Sequence, residues 1–291
     1  MVTRHSLSCA ISAAVMLIAI SCSETMKPAD KQQSADPCDK ELIQMTFHAV
    51  NQAYTKTSLN DEAVLWESSD QVKVLWGDDR SCRCEVNPYN SSRMAEIVAE
   101  VGVASEYFAV YPYSDEAGLS ADGLTVSIAD VQPGSFADAC LTVAKADKDN
   151  MMRFRHAAAY LEFSTDITGT LVITGGKPLA GNVTVSRFDE NGLPEFKTKP
   201  GLSEVTVEVK ASGTYYIAVL PDAEFDYLSL TINDGEKVYS TRSSSRIAMK
   251  PGKLVALGNI TERFMGSDKI GATLEPIEIV DFSMEDAVLN F

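Results

Sequence analysis

Leu228-Ser229-Leu230-Thr231-Ile232, then Asn233-Asp234-Gly235, then Val238-Tyr239-Ser240-Thr241: this run decides the fold class. Its apolar residues fall on every second position, which lines them up on one face of an extended chain. The Asn-Asp-Gly break suits a tight reversal, because glycine reaches positive φ without strain and the two side chains before it bond their own backbone. The stretch therefore reads as a β-hairpin with one buried and one wet face. The same period recurs on either side. Val205, Val207 and Val209 alternate with Thr206 and Glu208, and Tyr215, Ile217 and Val219 follow Ser212-Gly213. Earlier come Met45, Phe47 and Ala49, then Val72 and Val74 around Lys73, then Leu124, Val126 and Ile128, then Leu161 and Phe163 around Glu162. Asp122-Gly123, Asn191-Gly192 and Pro251-Gly252 punctuate the runs.

One segment departs from period two. Between Ser92 and Val103, apolar Met94, Ile97, Val98 and Val101 are spaced by three and four, predicting a short helix capped by Ser92 and closed by Gly102. The rest, many short strands with a turn every dozen residues or so, predicts an all-β chain of antiparallel β-sandwiches. The length suits two in series. The expected division is an N-terminal β-sandwich domain over 42–165 holding the helix, a C-terminal one over 166–260, and an extension over 261–291. The boundary falls near Asp166-Ile167-Thr168-Gly169.

The N-terminus speaks about location. Arg4 and His5 precede an apolar run from Cys9 to Ile20, too short to span a bilayer and the right length for a signal-peptide core. Ala19-Ile20-Ser21-Cys22 resembles the lipobox of bacterial lipoproteins, which would make Cys22 the lipid-modified first residue of the mature chain; the alternative is an ordinary secretory signal cut near Ser21. Residues 1–21 are thus expected as a signal peptide and 22–41 as a polar tether to the outer membrane. The 41 acidic against 25 basic residues give a net charge of −16, which argues against nucleic acid as a partner and suits solubility outside a cell.

With Cys9 and Cys22 set aside, Cys38, Cys82, Cys84 and Cys140 remain, an even number in an exported chain that permits two disulfides in three pairings. Cys82-Arg83-Cys84 lacks the second ligand pair a zinc site wants, so no metal and no cofactor is expected. No nucleophile elbow, zinc-protease helix or phosphate-binding loop occurs. The carboxylate pairs Asp61-Glu62, Asp78-Asp79, Asp115-Glu116 and Asp189-Glu190 sit at turn-like places, where solvated acids are ordinary. Only His48 and His156 remain in the mature chain as imidazoles, and Trp66 and Trp76 read as core or sheet-face aromatics. The chain is expected not to be an enzyme.

Four stretches resemble a known family. Thr55-Lys56-Thr57-Ser58, followed by Trp66-Glu67-Ser68-Ser69-Asp70-Gln71-Val72-Lys73-Val74, is similar to the opening of the first domain of fimbrillin-like surface lipoproteins of Bacteroides and its relatives. Tyr107 to Tyr113, Phe154-Arg155-His156-Ala157 to Phe163, and Tyr215 to Pro221 resemble later strands of that family, in the expected order. The resemblance implies two transthyretin-like β-sandwich domains and a fimbrial subunit or accessory adhesin, exported as an outer-membrane lipoprotein. Its partners would be other fimbrial subunits. It further implies trimming by a trypsin-like protease, for which Lys56 is the candidate site, so that strand 43–50 leaves and a neighbour's strand fills the groove. The physical basis is that an unpaired sheet edge takes an extended segment of another chain.

The C-terminal extension carries Ile277-Glu278-Ile279-Val280-Asp281-Phe282, with Ile277, Ile279 and Phe282 as candidate donor-strand residues; a final strand of the chain's own fold, or a loose end, are the alternatives. A second reading is a lipid-anchored module that binds a glycan or host protein and never polymerises, with Tyr89, Tyr113 and Phe225 as candidate loop aromatics.

Overall fold

A computed structural model describes residues 42–51, 65–77, 79–89, 93–221, 223–243, 247–265 and 278–281. The elements run β1 (Leu42–Asn51), β2 (Gln71–Trp76), β3 (Arg80–Pro88), β4 (Met94–Gly102), β5 (Tyr107–Tyr111), β6 (Gly118–Ser120), β7 (Gly123–Ile128), β8 (Val131–Gln132), α1 (Phe136–Ala139), β9 (Thr142–Lys145), β10 (Met151–His156) and β11 (Ala159–Thr165). They continue with β12 (Gly169–Gly175), β13 (Gly181–Phe188), β14 (Pro194–Pro200), β15 (Glu204–Val209), β16 (Gly213–Val219), β17 (Ala223–Phe225), β18 (Leu228–Asn233), β19 (Val238–Arg242), β20 (Ile247–Met249), β21 (Lys253–Asn259), α2 (Ile260–Met265) and β22 (Glu278–Asp281).

The chain is mostly strand, but it is not two sandwich domains. The first strands close into a seven-stranded barrel of order β1-β10-β9-β5-β2-β3-β4. Closure depends on β1, which pairs antiparallel with β4 from Leu42↔Gly102 to Val50↔Met94 and parallel with β10 from His48↔Met151 to Asn51↔Phe154. A strand bonded on both sides leaves no edge, whereas each sheet of a sandwich keeps two. The transthyretin-like pair of sandwiches implied by the resemblance is overturned by this closure. Side-chain size permits it. Ala49, Ala95, Ala99, Ala109 and Ala144 point inward alongside Phe47, Trp66, Phe154 and Met152, so the walls approach where the side chain is a methyl and the large rings fill the centre. Trp66 packs edge-on against Tyr111 and Phe154, at centroid distances of 5.0 and 5.1 Å.

The helix expected at Ser92–Val103 is also corrected. Residues 94–102 are strand β4, with Ala95, Ile97, Ala99 and Val101 buried in turn. The three-and-four spacing counted Val98, which is 40% exposed, and passed over the alanines, which are the core-facing residues. Nine residues of pairing with β1 outweigh the helix propensity of Met, Ala and Glu. A short helix does occur in this half, at α1, where Ser135 accepts a bond from the Asp138 N–H as its cap.

Beyond the barrel lie two open sheets, β16-β11-β21-β22 and β19-β18-β12-β15-β8, whose inner faces share one core of Leu161, Phe163, Leu171, Ile173, Val207 and Leu230 among others. A further sheet, β14-β13-β7-β6, pairs β7 with β13 from Val185↔Leu124 to Gly181↔Ile128. Strands from both sides of residue 166 therefore share hydrogen-bonded ladders. A third core joins Leu75, Val110 and Val143 of the barrel walls to Val183, Leu220 and Leu254. Lys40–Phe291 forms one compact unit.

Candidate functional site

Strand β22 is the one part of the extension after Met265 that lies among the described residues. It pairs antiparallel with β21 at the register Lys253↔Asp281, Leu254↔Val280, Val255↔Ile279 and Ala256↔Glu278. It is the outermost strand of its sheet, so β21 without it would present an open edge. Of the candidate donor residues, Ile279 stands on β22, opposite Val255. Ile277 and Phe282 lie outside the described residues, as do Cys22, Cys38 and Lys56.

The opposite edge of the same sheet, β16, is met by the main chain, where the Tyr216 N–H donates to the Gly134 carbonyl at 2.8 Å, and by a side chain at Ala218. Gln132 donates to the carbonyl of Ala218 at 2.8 Å and accepts from the Ala218 N–H at 2.8 Å, while also donating to Ala129. Its amide acts as one unit of a neighbouring strand. β1, the strand expected to leave after trimming, sits in the barrel wall between β4 and β10 with Phe47 and Ala49 fully buried.

The cysteines part company. Cys82 and Cys84 lie two apart on β3, on the same inward face, with Sγ atoms 3.4 Å apart as free thiols. The bond from Cys84 lowers the Cys82 pKa and raises that of Cys84. Cys140 stands at the end of α1, 1% exposed, and burial pushes its thiol up to about 12. Among the described residues no three His, Cys, Asp or Glu side chains cluster as metal ligands. No helix among them is long and apolar enough to cross a membrane.

His156 is buried, and burial alone lowers its pKa to about 3, so it is neutral. Its Nδ1 lies 2.7 Å from the Tyr160 hydroxyl, which donates onward to the carbonyl of Leu141. With the hydroxyl proton committed to Leu141, the imidazole is the donor to Tyr160. His48 sits on β1 with Nδ1 3.2 Å from the Tyr89 hydroxyl, which donates to Glu96 at 2.6 Å. Of the loop aromatics, Tyr89 is exposed, and Tyr113 carries the Arg83 guanidinium over its ring at 4.5 Å. Phe225 is wholly buried on β17 and belongs to the core, a correction to its expected place in a binding loop.

No family model and no curated protein matches the chain. Among solved structures it is similar to a candidate cell adhesion protein from Bacteroides ovatus ATCC 8483, at 14% identity and a TM-score of 0.49 over 84% of this chain and 100% of that one. It is similar to a fimbrial assembly protein from Parabacteroides distasonis ATCC 8503, at 11% identity and a TM-score of 0.40 over 75% and 90% of the two chains. A candidate cell adhesion protein from Bacteroides eggerthii DSM 20697 aligns at 13% identity and a TM-score of 0.36 over 81% and 92%.

Proposed function

We propose that this chain is a non-enzymatic fimbrial subunit or accessory adhesin, held at the cell surface through a lipid on Cys22, that joins other subunits by exchanging strands. The observation that carries this reading is β22. A short segment of the tail adds itself, by main-chain pairing, to the edge of β21. Main-chain pairing does not distinguish a chain's own strand from a copy's, so the edge that accepts β22 is suited to an extended segment from outside. Departure of β1 after a cut at Lys56 would open a second acceptor, because both β4 and β10 would lose a partner. The motifs resembling fimbrillin-like lipoproteins support the same reading.

The experiment is limited trypsin digestion of the purified mature chain, followed by sizing, with and without residues 266–291. Strand exchange gives trimmed protein that forms oligomers, and loss of the tail abolishes them. Trimmed protein that stays monomeric whether or not the tail is present overturns it. The second reading, an anchored binding module, gains its support from a cleft of about 810 Å³ between the β9–β10 turn and the tip of the β13–β14 hairpin.

A further inference from the structure

We infer that Cys82 and Cys84 form a thiol–disulfide exchange site that takes small disulfides: Cys82 captures one half of the molecule, Cys84 expels it, and the chain is left holding the bond. This goes beyond the fimbrial reading and uses neither β1 nor β22. The two thiols sit on one inward face of β3, opposite Val74 and Val72 of β2. Their sulfurs are 3.4 Å apart, inside the range of about 3–3.5 Å at which reacting atoms are held for attack. The pair is built unequally. Cys82 lies toward the β2–β3 turn and is partly exposed, whereas Cys84, two residues further along the strand, is only 6% exposed. A molecule arriving from solvent therefore meets Cys82 first. The thiol of Cys84 donates to the Cys82 sulfur, which eases loss of the Cys82 proton and keeps Cys84 protonated. An accessible thiolate with a second thiol poised behind it is what exchange requires. Arg83, between them in sequence, is on the outer face, held by Gln71 and Tyr113.

Other uses of the pair fit less well. A structural bridge stabilises by restricting the unfolded chain, and a bond between residues two apart restricts almost none of it. A metal would want further ligands, and no third His, Cys, Asp or Glu gathers with the pair among the described residues. An extended strand also sets residues two apart at roughly 6.6 Å, near the long end of the about 4.4–6.8 Å that a disulfide spans. With β3 hydrogen-bonded to β2 on one side and to β4 on the other, the barrel wall resists shortening. The oxidised pair is consequently strained and passes its bond on readily, as an exchange site does and a staple does not.

The chemistry balances. Cys82, its proton released to water, attacks one sulfur of the small disulfide as the thiolate. That S–S bond breaks, and the first half leaves as a thiolate that takes up a proton. Cys84 then releases its own proton, attacks the Cys82 Sγ and displaces the second half in the same way. The dithiol has lost two hydrogens and is oxidised; the small disulfide has become two thiols and is reduced. Two molecules of a small thiol, entering in the reverse order, restore the pair.

The test uses the full mature chain with Cys22 and Cys38 replaced by serine, fully reduced, and the neutral 2-hydroxyethyl disulfide as probe. Intact mass and the amount of released thiol are followed together. Two thiols released per chain, a chain lighter by two hydrogens and an unmodified Cys140, which is buried, are expected. Cys84→Ser should release one thiol and keep the other half of the probe on Cys82. Cys82→Ser should react about tenfold more slowly or worse, since the remaining thiol is the shielded one. An unchanged melting temperature will show that each variant is folded; should a variant fail to fold, the mass and thiol count of the unsubstituted pair decide alone. Adding 2-mercaptoethanol to the oxidised chain should return the dithiol without denaturant. A lasting adduct where both thiols are present, first attachment at Cys84, undiminished reaction in Cys82→Ser, or no reaction of the folded chain overturns the inference. So does an oxidised pair that 2-mercaptoethanol reduces only after unfolding, which would make the bond a staple.

Discussion

His156 shows how burial fixes the behaviour of one side chain. Its pKa falls from 6.5 to about 3 on folding, so between those values the unfolded chain binds the extra proton and acid favours unfolding. The stabilisation is complete above pH 6.5 and declines at about 1.4 kcal/mol per unit as the pH drops toward 3. Between pH 6.5 and 5 it amounts to about 2 kcal/mol. Urea unfolding of the wild type and His156→Asn at both pH values should show the variant losing about that much less; parallel losses would refute the assignment. Gln132 is the second such residue. Gln132→Leu leaves the Ala218 N–H and carbonyl buried without their side-chain partner and should cost about 2–4 kcal/mol in the same assay. The thiols give a third prediction. In a chain with Cys22 and Cys38 replaced by serine, a disulfide oxidant should remove two hydrogens, joining Cys82 to Cys84, while native alkylation spares buried Cys140. Alkylation of Cys140 before unfolding would contradict its burial. Sequence alone made neither His156 nor Gln132 stand out. Lys73, too, was placed on a wet face by alternation, yet it is buried, its ammonium donating to the carbonyls of Asp115 and Ala117 from a loop far along the chain.

At the scale of the element, the hairpin at 228–241 was legible because its period, turn and apolar face all agree, and β18 and β19 pair as read, with Ile232 opposite Tyr239. Strand β4 was illegible for a reason visible in its residues. Alanine is a strong helix former and a weak hydrophobe, so Ala95 and Ala99 gave no period-two signal although they face the barrel core. Their smallness matters to the closed wall. Ala99→Leu adds three carbons where the walls meet, and should cost about 1–3 kcal/mol by overpacking while leaving the far-ultraviolet spectrum of a strand. A variant as stable as the wild type would mean that the barrel has room at that position. β22 lay between: its apolar alternation was readable, but only the fold could say which edge it would take.

For the whole molecule, the predominance of strands was within reach of the sequence and their closure was not. Whether a run of strands forms two facing sheets or one ring depends on whether the first strand finds partners on both sides. For β1 one partner, β10, lies about a hundred residues away, at His48↔Met151. No local pattern encodes that pairing. The cleft between the β9–β10 turn and the β13–β14 tip was unreadable for the same reason, since its two sides, far apart in sequence, meet only in the folded chain, where Arg155 donates to the Asn191 carbonyl.

Trp66 and Trp76 are the only two tryptophans of the chain, and both belong to the barrel core. Indole fluorescence therefore reports on the barrel alone, while circular dichroism near 215 nm sums the strands of every sheet. The pair of signals makes cooperativity measurable without a label. Because Leu75, Val110 and Val143 of the barrel share a core with Val183 and Leu254 beyond it, the two melting curves should superimpose. An emission shift that precedes the loss of ellipticity would mean that the barrel opens while the remaining sheets stay folded.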